Sequence, residues 1–552
     1  MNLMGSLVNG VHGFLAMFRK QFQNAARGAP DGRGKQGRRW NLSPLLGNGV
    51  LGKMTGMRSL RGVEQLSAVS HGGDVGMFGD RRMPDNTLEG MLTVTGEETG
   101  NWLLEKLCHA WHRAKMLVPC REGMIGKERP HIVVYDGKTF MQTPEEQPAP
   151  YHKKSTSTRT VVNGKKVKKK VDYWAVDIVR AVLVSSAAAV CIRLKVVVEG
   201  DEVGAVRELD KELVGRYRWF AKDPVLVLAD AKHGNKEFLK QQGDPYGENP
   251  CGEGSHGHYY LLKVKGNAGH IYKEGMRAAK VKADAQKPEA MTDFEDAGHG
   301  RQIKREVWRV DTNVSLKIEE DDECRLDDES VAILKRKDWP TVRQVVLVKQ
   351  TTRHKKPRKN GKTSEAVEWR LAVTNIKKED VSAMSLLRFL RMEWGIEVYH
   401  NLLDQVMRED DKDWARKGLA PVAMATLDSI AANAVGMLKS RHLRSAGNRQ
   451  CLSYPQLVTL ILMVMAGGRI GQILAADKRG KQASIVSGET GDAELDPAFT
   501  KQWSDAELGQ LLAAIRLLFG LAVRHLAHHH RITLTLSVDM TSGGVSMALK
   551  TE

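Results

Sequence analysis

The stretch "PVLVLADAKHGNKEFLKQQ", residues 224–242, gives the clearest indication of the fold. Five apolar residues run without interruption from 225 to 229, which is typical of a strand buried on both faces. Asp230 follows this run, and the chain then passes through a glycine into a helical pattern. A buried strand that ends on a carboxylate and opens into a helix predicts an α/β fold with parallel strands.

Neighbouring segments repeat this alternation of strand and helix. The run "HIVVYDGKTF" is rich in β-branched residues and reaches Asp136, and the glycine that follows suggests that the strand ends there. Further strands are predicted within 171–186, 187–200 and 258–267, and a helix within 200–217. The alternation predicts an α/β sheet in the middle of the chain.

Changes in composition divide the chain of 552 residues into several predicted regions. Residues 1–37 are Gly-rich and basic and suggest a flexible arm. Residues 38–125 have a helical pattern with basic residues on one side. An α/β domain is expected over 126–440, with a β-rich insertion at about 270–375, and a largely helical C-terminal extension over 441–552.

The formal net charge of +18 favours a polyanionic partner, either a nucleic acid or an anionic membrane surface. No window reaches 18 uncharged apolar residues, so a membrane association is not expected. The six cysteines are far apart and form no C-x-x-C pair, which fits a reducing cytoplasm. The composition therefore favours a cytoplasmic protein that binds nucleic acid.

Two short blocks concentrate the positive charge. Residues 152–170 contain eight Lys or Arg and no acid, and residues 353–362 contain six. Each block is either a solvated loop or a phosphate contact, and the sequence leaves both open. His525 and His529 have the i, i+4 spacing of a metal-binding pair, but no accompanying glutamate indicates a zinc site.

The segment "RMEWGIEVYHNLLDQVMREDD", residues 391–411, predicts a long amphipathic helix. A broad apolar side includes Trp394 and Val398. A narrow polar sector contains four residues and is followed by Arg408; the four are Glu393, Glu397, His400 and Asp404. This sector is either a solvated face or a face that holds a cation, because like charges one turn apart repel each other.

Carboxylates from three segments are expected to converge. In open α/β sheets the functional groups lie beyond the carboxyl ends of the strands, which is where Asp136 and Asp230 are predicted. A helix packed on the sheet would add Glu397. Three close carboxylates require a cation, and oxygen ligands with open positions suit two Mg²⁺ or Mn²⁺ ions about 4 Å apart. Other acids near strands remain alternatives: Asp172, Asp177 and Asp223.

Four motifs, taken in order, resemble those of bacterial insertion-sequence DDE transposases of the ISAs-type, H-repeat-associated group. They are "IVVYDGKTF", "LVLADAKHGNKEF", "HYYLLKVKGN" and the acidic helix quoted above. The resemblance covers about residues 38–440. It implies an RNase H-like catalytic core over 126–440 and a DNA-binding domain over 38–125. It further implies divalent metal ions on Asp136, Asp230 and Glu397, and cleavage and strand transfer at the ends of a mobile DNA element.

The same resemblance suggests which residues contact DNA and how the protein assembles. The candidates for DNA contact are Lys138, Lys265, Asn267, Arg391, His400 and Arg408, each of which can also be an ordinary surface residue. A homodimer on double-stranded DNA is expected, because two element ends are paired. Departures from the family pattern lie beside the acids: Glu393, Val398 and Ala268. They leave two alternatives open, a repurposed DNA-binding protein and a nuclease without strand transfer.

Overall fold

The structure is a computed structural model, and it describes most of the first 465 residues together with two later strands. The described residues are 3–69, 77–79, 81–162, 165–186, 188–230, 232, 236–248, 255–265, 270–296, 301–311, 341–354, 365–407, 409, 414–442, 453–455, 457–458, 460–462, 464–465, 532–538 and 545–551. All structural statements below concern these residues.

Twelve α-helices occur in the described part of the chain. They are α1 (Leu3–Ala26), α2 (Leu42–Met54), α3 (Leu60–Val69), α4 (Asp85–Leu92), α5 (Glu97–Arg113), α6 (Glu202–Arg216), α7 (Arg218–Lys222), α8 (Lys236–Gln242), α9 (His270–Ala285), α10 (Ala383–Met392), α11 (Trp394–Gln405) and α12 (Ala420–Met437). Short 3₁₀ turns span Lys35–Arg39 and Lys378–Asp380, and a π turn spans Leu438–His442.

Thirteen strands are present in the same part of the chain. They are β1 (His131–Thr143), β2 (His152–Val162), β3 (Lys165–Leu183), β4 (Val190–Val196), β5 (Val225–Ala229), β6 (Tyr259–Val264), β7 (Ala290–Met291), β8 (Glu295–Asp296), β9 (Arg301–Asp311), β10 (Gln344–His354), β11 (Glu365–Thr374), β12 (Ile532–Val538) and β13 (Val545–Thr551).

The chain forms two compact units, each built from separated segments. The first contains residues 1–94, 402–416 and 434–552, and the second contains residues 95–401 and 417–433. Helix α5 therefore belongs to the second unit, although the sequence suggested a helical domain that extends to residue 125. Its Asn101 side chain hydrogen-bonds the backbone of Leu194 in β4, which joins the helix to the sheet.

The second unit contains a mixed sheet with five strands at its centre. Strands β4, β3 and β1 are antiparallel neighbours, and β5 and β6 continue the sheet parallel to β1. The connection from β4 to β5 contains α6 and α7, and the connection from β5 to β6 contains α8. The predicted strands in 171–186, 187–200, 224–230 and 258–267 and the predicted helix in 200–217 are confirmed.

The region of the predicted β-rich insertion contains five strands that extend the same sheet. Strand β11 pairs antiparallel with β6, and β10 and β9 follow it in order. The short strands β7 and β8 both pair with β9. The insertion begins with a helix rather than a strand, because α9 occupies its first sixteen residues.

The expectation that the first strand ends at Asp136 is wrong. Strand β1 continues to Thr143, because β3 remains paired with it beyond Asp136. Its pairing with β5, however, stops at Tyr135 opposite Ala229. Gly137 does not break the strand; a Cβ atom there would lie 2.5 Å from the Glu202 carboxyl carbon. The glycine therefore makes room for that side chain.

The expectation of a flexible arm over residues 1–37 is also wrong. Helix α1 spans Leu3–Ala26, and its buried face includes Phe14, Phe18 and Phe22. The Phe22 ring packs against Phe78, with 5.6 Å between centroids, inside the first unit. The spacing of the three phenylalanines, four residues apart, buries one helical face despite the glycines of this segment.

The predicted acidic helix is divided into two helices. Helix α10 ends at Met392 and α11 begins at Trp394, with Glu393 between them. The placement of Trp394 and Val398 on the buried side is wrong, since their exposed fractions are 61% and 43%.

Three remaining predictions concern the basic blocks and the tail. Residues 152–170 form most of the β2–β3 hairpin, so this block is not a loop. Strands β12 and β13 form an antiparallel pair within the region predicted as a largely helical extension. The rest of the predicted C-terminal helical extension, including His525 and His529, lies largely outside the described residues, as does most of the block at 353–362.

Among the described residues, one helix is long and apolar enough to span a membrane by length and composition. It covers Ala420–Ser440, which is α12 with its following turn, and it is entirely buried inside the protein. Within the second unit, its Ser429 accepts a hydrogen bond from the buried Arg180 guanidinium. A core helix passes the same test of composition, so this helix gives little support to a membrane span.

Candidate functional site

The central parallel strands place two aspartates at the same end of the sheet. Tyr135 of β1 pairs with Ala229 of β5, and Asp136 and Asp230 are the next residue on each strand. Adjacent strands lie about 4.8 Å apart, so the two backbones are close at this level. The structure therefore brings Asp136 and Asp230 to the same edge, as the sequence predicted.

A buried hydrogen-bond network fixes β1 just before Asp136. The Tyr135 hydroxyl donates to Asp210 of α6 at 2.6 Å, and both residues are fully buried. Gln241 and Gln242 of α8 donate to the other carboxylate oxygen at 2.9 and 2.8 Å. Burial, followed by the negative charge of Asp210, raises the pKa of Tyr135, so this hydroxyl stays protonated and remains a donor.

Glu397 lies in the first turn of α11 and lines a cavity with Asp230. We call this the acidic cavity; its volume is about 730 Å³. Six acidic residues line it: Asp230, Glu295, Asp296, Glu368, Glu393 and Glu397. Six basic residues also line it: Lys263, Lys265, Arg301, Arg305, Arg370 and Arg391. Glu397 thus shares a cavity with Asp230, although it is itself exposed to solvent.

Asp136 is linked to α11 through a histidine rather than through the cavity wall. His400 Nδ1 lies 3.4 Å from Asp136 Oδ2, and the two side chains are 16% and 35% exposed. Glu397 precedes His400 by three residues, so the two side chains are neighbours on one face of the helix. The same helix therefore approaches Asp136 through His400 and the acidic cavity through Glu397.

Asp230 is paired with a lysine of β6's C-terminal end. Lys265 Nζ lies 3.2 Å from Asp230 Oδ1 and 3.1 Å from Oδ2. Both side chains are substantially exposed, at 63% and 44%. A mobile ammonium group that contacts both oxygens of a carboxylate can be exchanged for another cation at low cost.

Glu393 also lies in this site, although the sequence did not predict it as a metal ligand. It lies at the junction of α10 and α11, where Lys263 Nζ contacts its carboxylate at 2.8 Å. Burial raises the pKa of Glu393; the Lys263 charge opposes this effect, and the charges of Asp230 and Glu397 add to it. Three of the acids are therefore close enough to influence one another, which the helical pattern alone did not show.

Basic residues from the insertion sheet face the same cavity. Arg391 of α10 pairs with Glu295 at 2.6 Å, so it does not pair with an acid of its own helix. Burial lowers the pKa of Arg305, and the positive charges of Arg391 and Arg370 lower it further. Crowded guanidinium groups of this kind favour the binding of an anion.

The remaining predicted DNA-contacting residues are partly described. Lys138 lies half-buried on β1, two residues beyond Asp136 and therefore on the same face of the strand. Asn267 and Arg408 lie outside the described residues, so their predictions stay untested. The roles of all six residues in binding DNA remain predictions.

The alternative acids are engaged elsewhere. Asp172 pairs with Lys153 on the exposed hairpin. Asp177 accepts a hydrogen bond from Thr139 at 2.6 Å; burial opposes its ionisation, but Lys154 and Thr139 outweigh burial and lower its pKa. Asp223 lies at the opposite end of β5. None of these three lines the acidic cavity. Asp136 does not line it either, but among the described contacts Asp136 alone of these four acids is reached by α11, through His400.

The chemistry of the donor atoms fits a hard divalent cation. Carboxylate oxygens from Asp230, Glu393 and Glu397 border one solvent-accessible space, and the Asp136 carboxylate lies one strand away. Mg²⁺ and Mn²⁺ prefer such oxygens and keep open positions for water or phosphate. A bound cation would also relieve the mutual repulsion that contributes to the raised pKa of Glu393.

Comparison with known proteins adds little to this geometry. No protein-family model matches the sequence, and no curated protein matches it. One similar solved structure is a cryo-EM structure of a piggyBac transposase synaptic complex with hairpin DNA. The alignment covers 91% of this chain and 87% of that chain, with 9% identity and a TM-score of 0.36. A likeness this low supports no argument about fold or function.

Proposed function

We propose that the protein is a metal-dependent DNA transposase of the DDE type, in which Asp136, Asp230 and Glu397 hold the metal ions. One observation carries the proposal. The β1–β5 register puts Asp136 and Asp230 side by side, and α11 reaches both, with His400 on Asp136 and Glu397 in the cavity of Asp230. These are the acids that the transposase-like motifs single out.

The strand order supports an RNase H-like core as part of this proposal. Three antiparallel strands (β1, β3, β4) precede two strands parallel to β1, and the spatial order is β4-β3-β1-β5-β6. An RNase H-like sheet has this arrangement, with its first acid on the central strand. The β2–β3 hairpin and the β9–β11 insertion are then additions to the core.

The protein's own residues would perform four tasks in this reaction. When bound, two divalent ions stabilise the charge that develops on the attacking and leaving oxygens of a phosphodiester. Asp136, Asp230 and Glu397 would bind these ions, and His400 would orient the Asp136 carboxylate. Lys265 would move from Asp230 to a DNA phosphate. Arg305 and Arg391 would hold the backbone beside the acids.

DNA is the substrate that best suits the charge distribution. The acids alone would repel a phosphate backbone, but six basic residues line the same cavity. The chain as a whole carries a formal net charge of +18. Binding is therefore expected to weaken steeply with salt, because each phosphate contact releases counterions. Pairing of two DNA ends further suggests a homodimer on DNA.

The decisive experiment is a cleavage assay on linear DNA that carries the ends of the mobile DNA element in which the gene for this protein lies. With Mg²⁺, the full-length protein should cut at the element end and join the freed 3′ end to a supercoiled target plasmid. Asp230→Asn should abolish both steps while retaining DNA binding at low salt. Asp172→Asn, which changes an exposed hairpin carboxylate outside the cavity, should leave both steps intact.

The outcomes separate the alternative functions. Cleavage without joining indicates a nuclease that lacks strand transfer. DNA binding without metal-dependent cutting, with the wild type and Asp230→Asn equally inactive in cleavage, rejects both enzymes. That result would favour a repurposed DNA-binding protein.

One observation favours this second candidate. Lys265 neutralises Asp230 in the absence of a metal, so the carboxylate has a structural partner of its own. In a purely DNA-binding protein, Asp230→Asn would free Lys265 and strengthen DNA binding, because one negative charge is lost near the phosphates. The wild-type protein would then show no response to Mg²⁺.

A further inference from the structure

A second cluster of metal-ligating side chains lies in the second unit, at the opposite end of β1 and β5 from the acidic cavity. It consists of His112 near the end of α5, His131 at the start of β1 and Asp223 just before β5. We call it the His–Asp cluster. His131 and Asp136 are five residues apart on one extended strand, so the two sites are separated by roughly 17 Å.

The distances in the His–Asp cluster suit a small cation. One potential ligand atom from each residue lies within 4.8 Å of the other two. His131 Nε2 and Asp223 Oδ2 are 3.4 Å apart. Two ligands of a tetrahedral zinc ion, at about 2.0–2.2 Å from the metal, are themselves separated by about 3.4 Å. His131 and Asp223 therefore already have the required spacing, and a movement of at most roughly 1.5 Å by His112 brings its ligand atom from within 4.8 Å to the same spacing.

Trp219 of α7 holds both imidazole rings. Its indole stacks on His112 with 5.3 Å between centroids and an interplanar angle of 11°. The same indole packs against His131 at 4.8 Å and 55°. Trp219 is 6% exposed, so the packing restricts both rings. Rings that are held before a ligand arrives lose little entropy when they bind it.

The surroundings of His131 also suit a ligand. Its side chain is 1% exposed, while the neighbouring Asp223 side chain is 45% exposed. Burial lowers the pKa of His131 to about 4, although Asp223 opposes this shift. An imidazole beside a carboxylate is a pair of ligands that zinc uses.

We propose that His112, His131 and Asp223 form a site for a divalent transition metal, with Zn²⁺ as its best occupant. Two imidazoles and one carboxylate are a common zinc ligand set and leave a fourth position for water. Oxygen-preferring Mg²⁺ is a poor match for this set, so the acidic cavity and the His–Asp cluster differ in their metal preference. The site would link α5, β1 and the start of β5, and thereby stabilise the central sheet.

The test uses the full chain with the histidines of its tail replaced, so that any zinc bound cannot be attributed to the four histidines of "HLAHHHR". The background variant carries glutamine at His525, His528, His529 and His530. Zinc content after dialysis against ZnCl₂ with excess Mg²⁺ is expected to be one ion per chain. Addition of Zn²⁺ should raise Tm, and Co²⁺ should give the visible absorption of a four-coordinate site.

Substitutions of the proposed ligands in that background test whether zinc binds at the His–Asp cluster. His112→Gln and Asp223→Asn should each lower zinc affinity at least tenfold and remove the Co²⁺ absorption, while Tm without metal stays near that of the background. His109→Gln, which changes a half-buried histidine on the same helix, should change neither readout. The proposal is overturned if His112→Gln and Asp223→Asn bind zinc as the background does, or if the background binds none.

Discussion

Replacing Lys265 with methionine tests whether Asp230 is a metal ligand. The Lys265 ammonium contacts both Asp230 oxygens, at 3.2 and 3.1 Å, and the two side chains are 63% and 44% exposed. A metal ion that binds this carboxylate must first displace the lysine. Methionine keeps the length of the side chain and removes the charge, so the variant isolates the competition between the two cations.

The expected size of the effect follows from the exposure of this pair. Exposed ion pairs contribute roughly 0.2–1 kcal/mol. Removing the pair lowers the cost of metal binding by that amount, which decreases the metal Kd about 1.4-fold to fivefold. Removal of a nearby positive charge acts in the same direction. We therefore expect Lys265→Met to bind the metal more tightly than the wild type.

The assay is a titration with Mn²⁺ in the absence of DNA, in which the free ion is measured by its paramagnetic resonance signal. Mn²⁺ prefers carboxylate oxygens to imidazole, so it reports mainly on the acidic cavity. Ionic strength is held constant because salt screens exposed charges. Lys153→Met is the matched control, since the Lys153–Asp172 pair has similar exposure, 58% and 39%, but lies on the hairpin.

Unchanged or weaker Mn²⁺ affinity in Lys265→Met would rule out a competition between Lys265 and a metal ion for Asp230. Unchanged affinity would mean that no metal reaches the Asp230 carboxylate. Weaker affinity would mean that the lysine supports the metal site instead of competing for it. An equal gain in Lys153→Met would show that only the net charge of the protein matters.

Three further predictions concern buried contacts, and urea denaturation measures each one. Tyr135→Phe removes the 2.6 Å hydrogen bond to Asp210 and should lower the free energy of unfolding by about 1.5–3 kcal/mol. Gly100→Ala places a methyl group 2.3 Å from Thr426 Oγ1 and should cost about 1–3 kcal/mol. The pKa of Glu393 is raised in the folded protein, so ionisation of this carboxyl destabilises the fold. The free energy of unfolding should therefore decrease as pH rises from the ordinary glutamate pKa through the raised one, and Glu393→Gln should not show this decrease.

Each of these predictions has a matched control in the chain. Tyr260→Phe loses a hydroxyl contact with the neutral Thr341 and should cost only about 0.5–1.5 kcal/mol. Gly90→Ala meets no atom within 4 Å and should stabilise α4 slightly. Arg370 lowers the pKa of Glu368, so the Glu368 carboxylate contributes more to stability as pH rises. Glu368→Gln should lose this contribution. Equal effects in a variant and its control would contradict the structural reason given.

Much of the central sheet could be predicted because its strands are nearly continuous apolar runs. The run at 225–229 is buried along its whole length, as a strand covered on both faces requires. The motif positions of Asp136 and Asp230 then followed from where such runs stop. The parallel pairing of Tyr135 with Ala229 places the ends of the two apolar runs side by side.

The errors arise where distant segments decide the local structure. Gly137 suggested an end to β1, but pairing with β3 carries the strand further. The apolar arc of residues 391–407 is wider than the face that is buried, and nothing in the helical pattern separates Trp394 and Val398 from the rest of the arc. Helix α1 has a buried apolar face, which the glycine content of this segment did not suggest because composition ignores the helical spacing of the apolar residues.

The partners of the site residues could not be predicted from the sequence. Lys263 contacts Glu393 across 130 residues, and His131 contacts Asp223 across 92. Ion pairs between segments so far apart depend on strand order and register, which a single sequence does not specify. His112 and His131 of the His–Asp cluster are 19 residues apart, a spacing that matches no zinc motif.

Anomalous scattering from crystals of the full chain grown with Mn²⁺ shows directly whether the carboxylates of β1, of the residue after β5 and of α11 share divalent ions. We expect manganese peaks bonded to Asp136, Asp230 and Glu397, at roughly 2.1 Å as for Mg²⁺. Manganese bound without Asp136 or without Glu397, or no manganese at Asp230, would show that the three acids do not form one metal site.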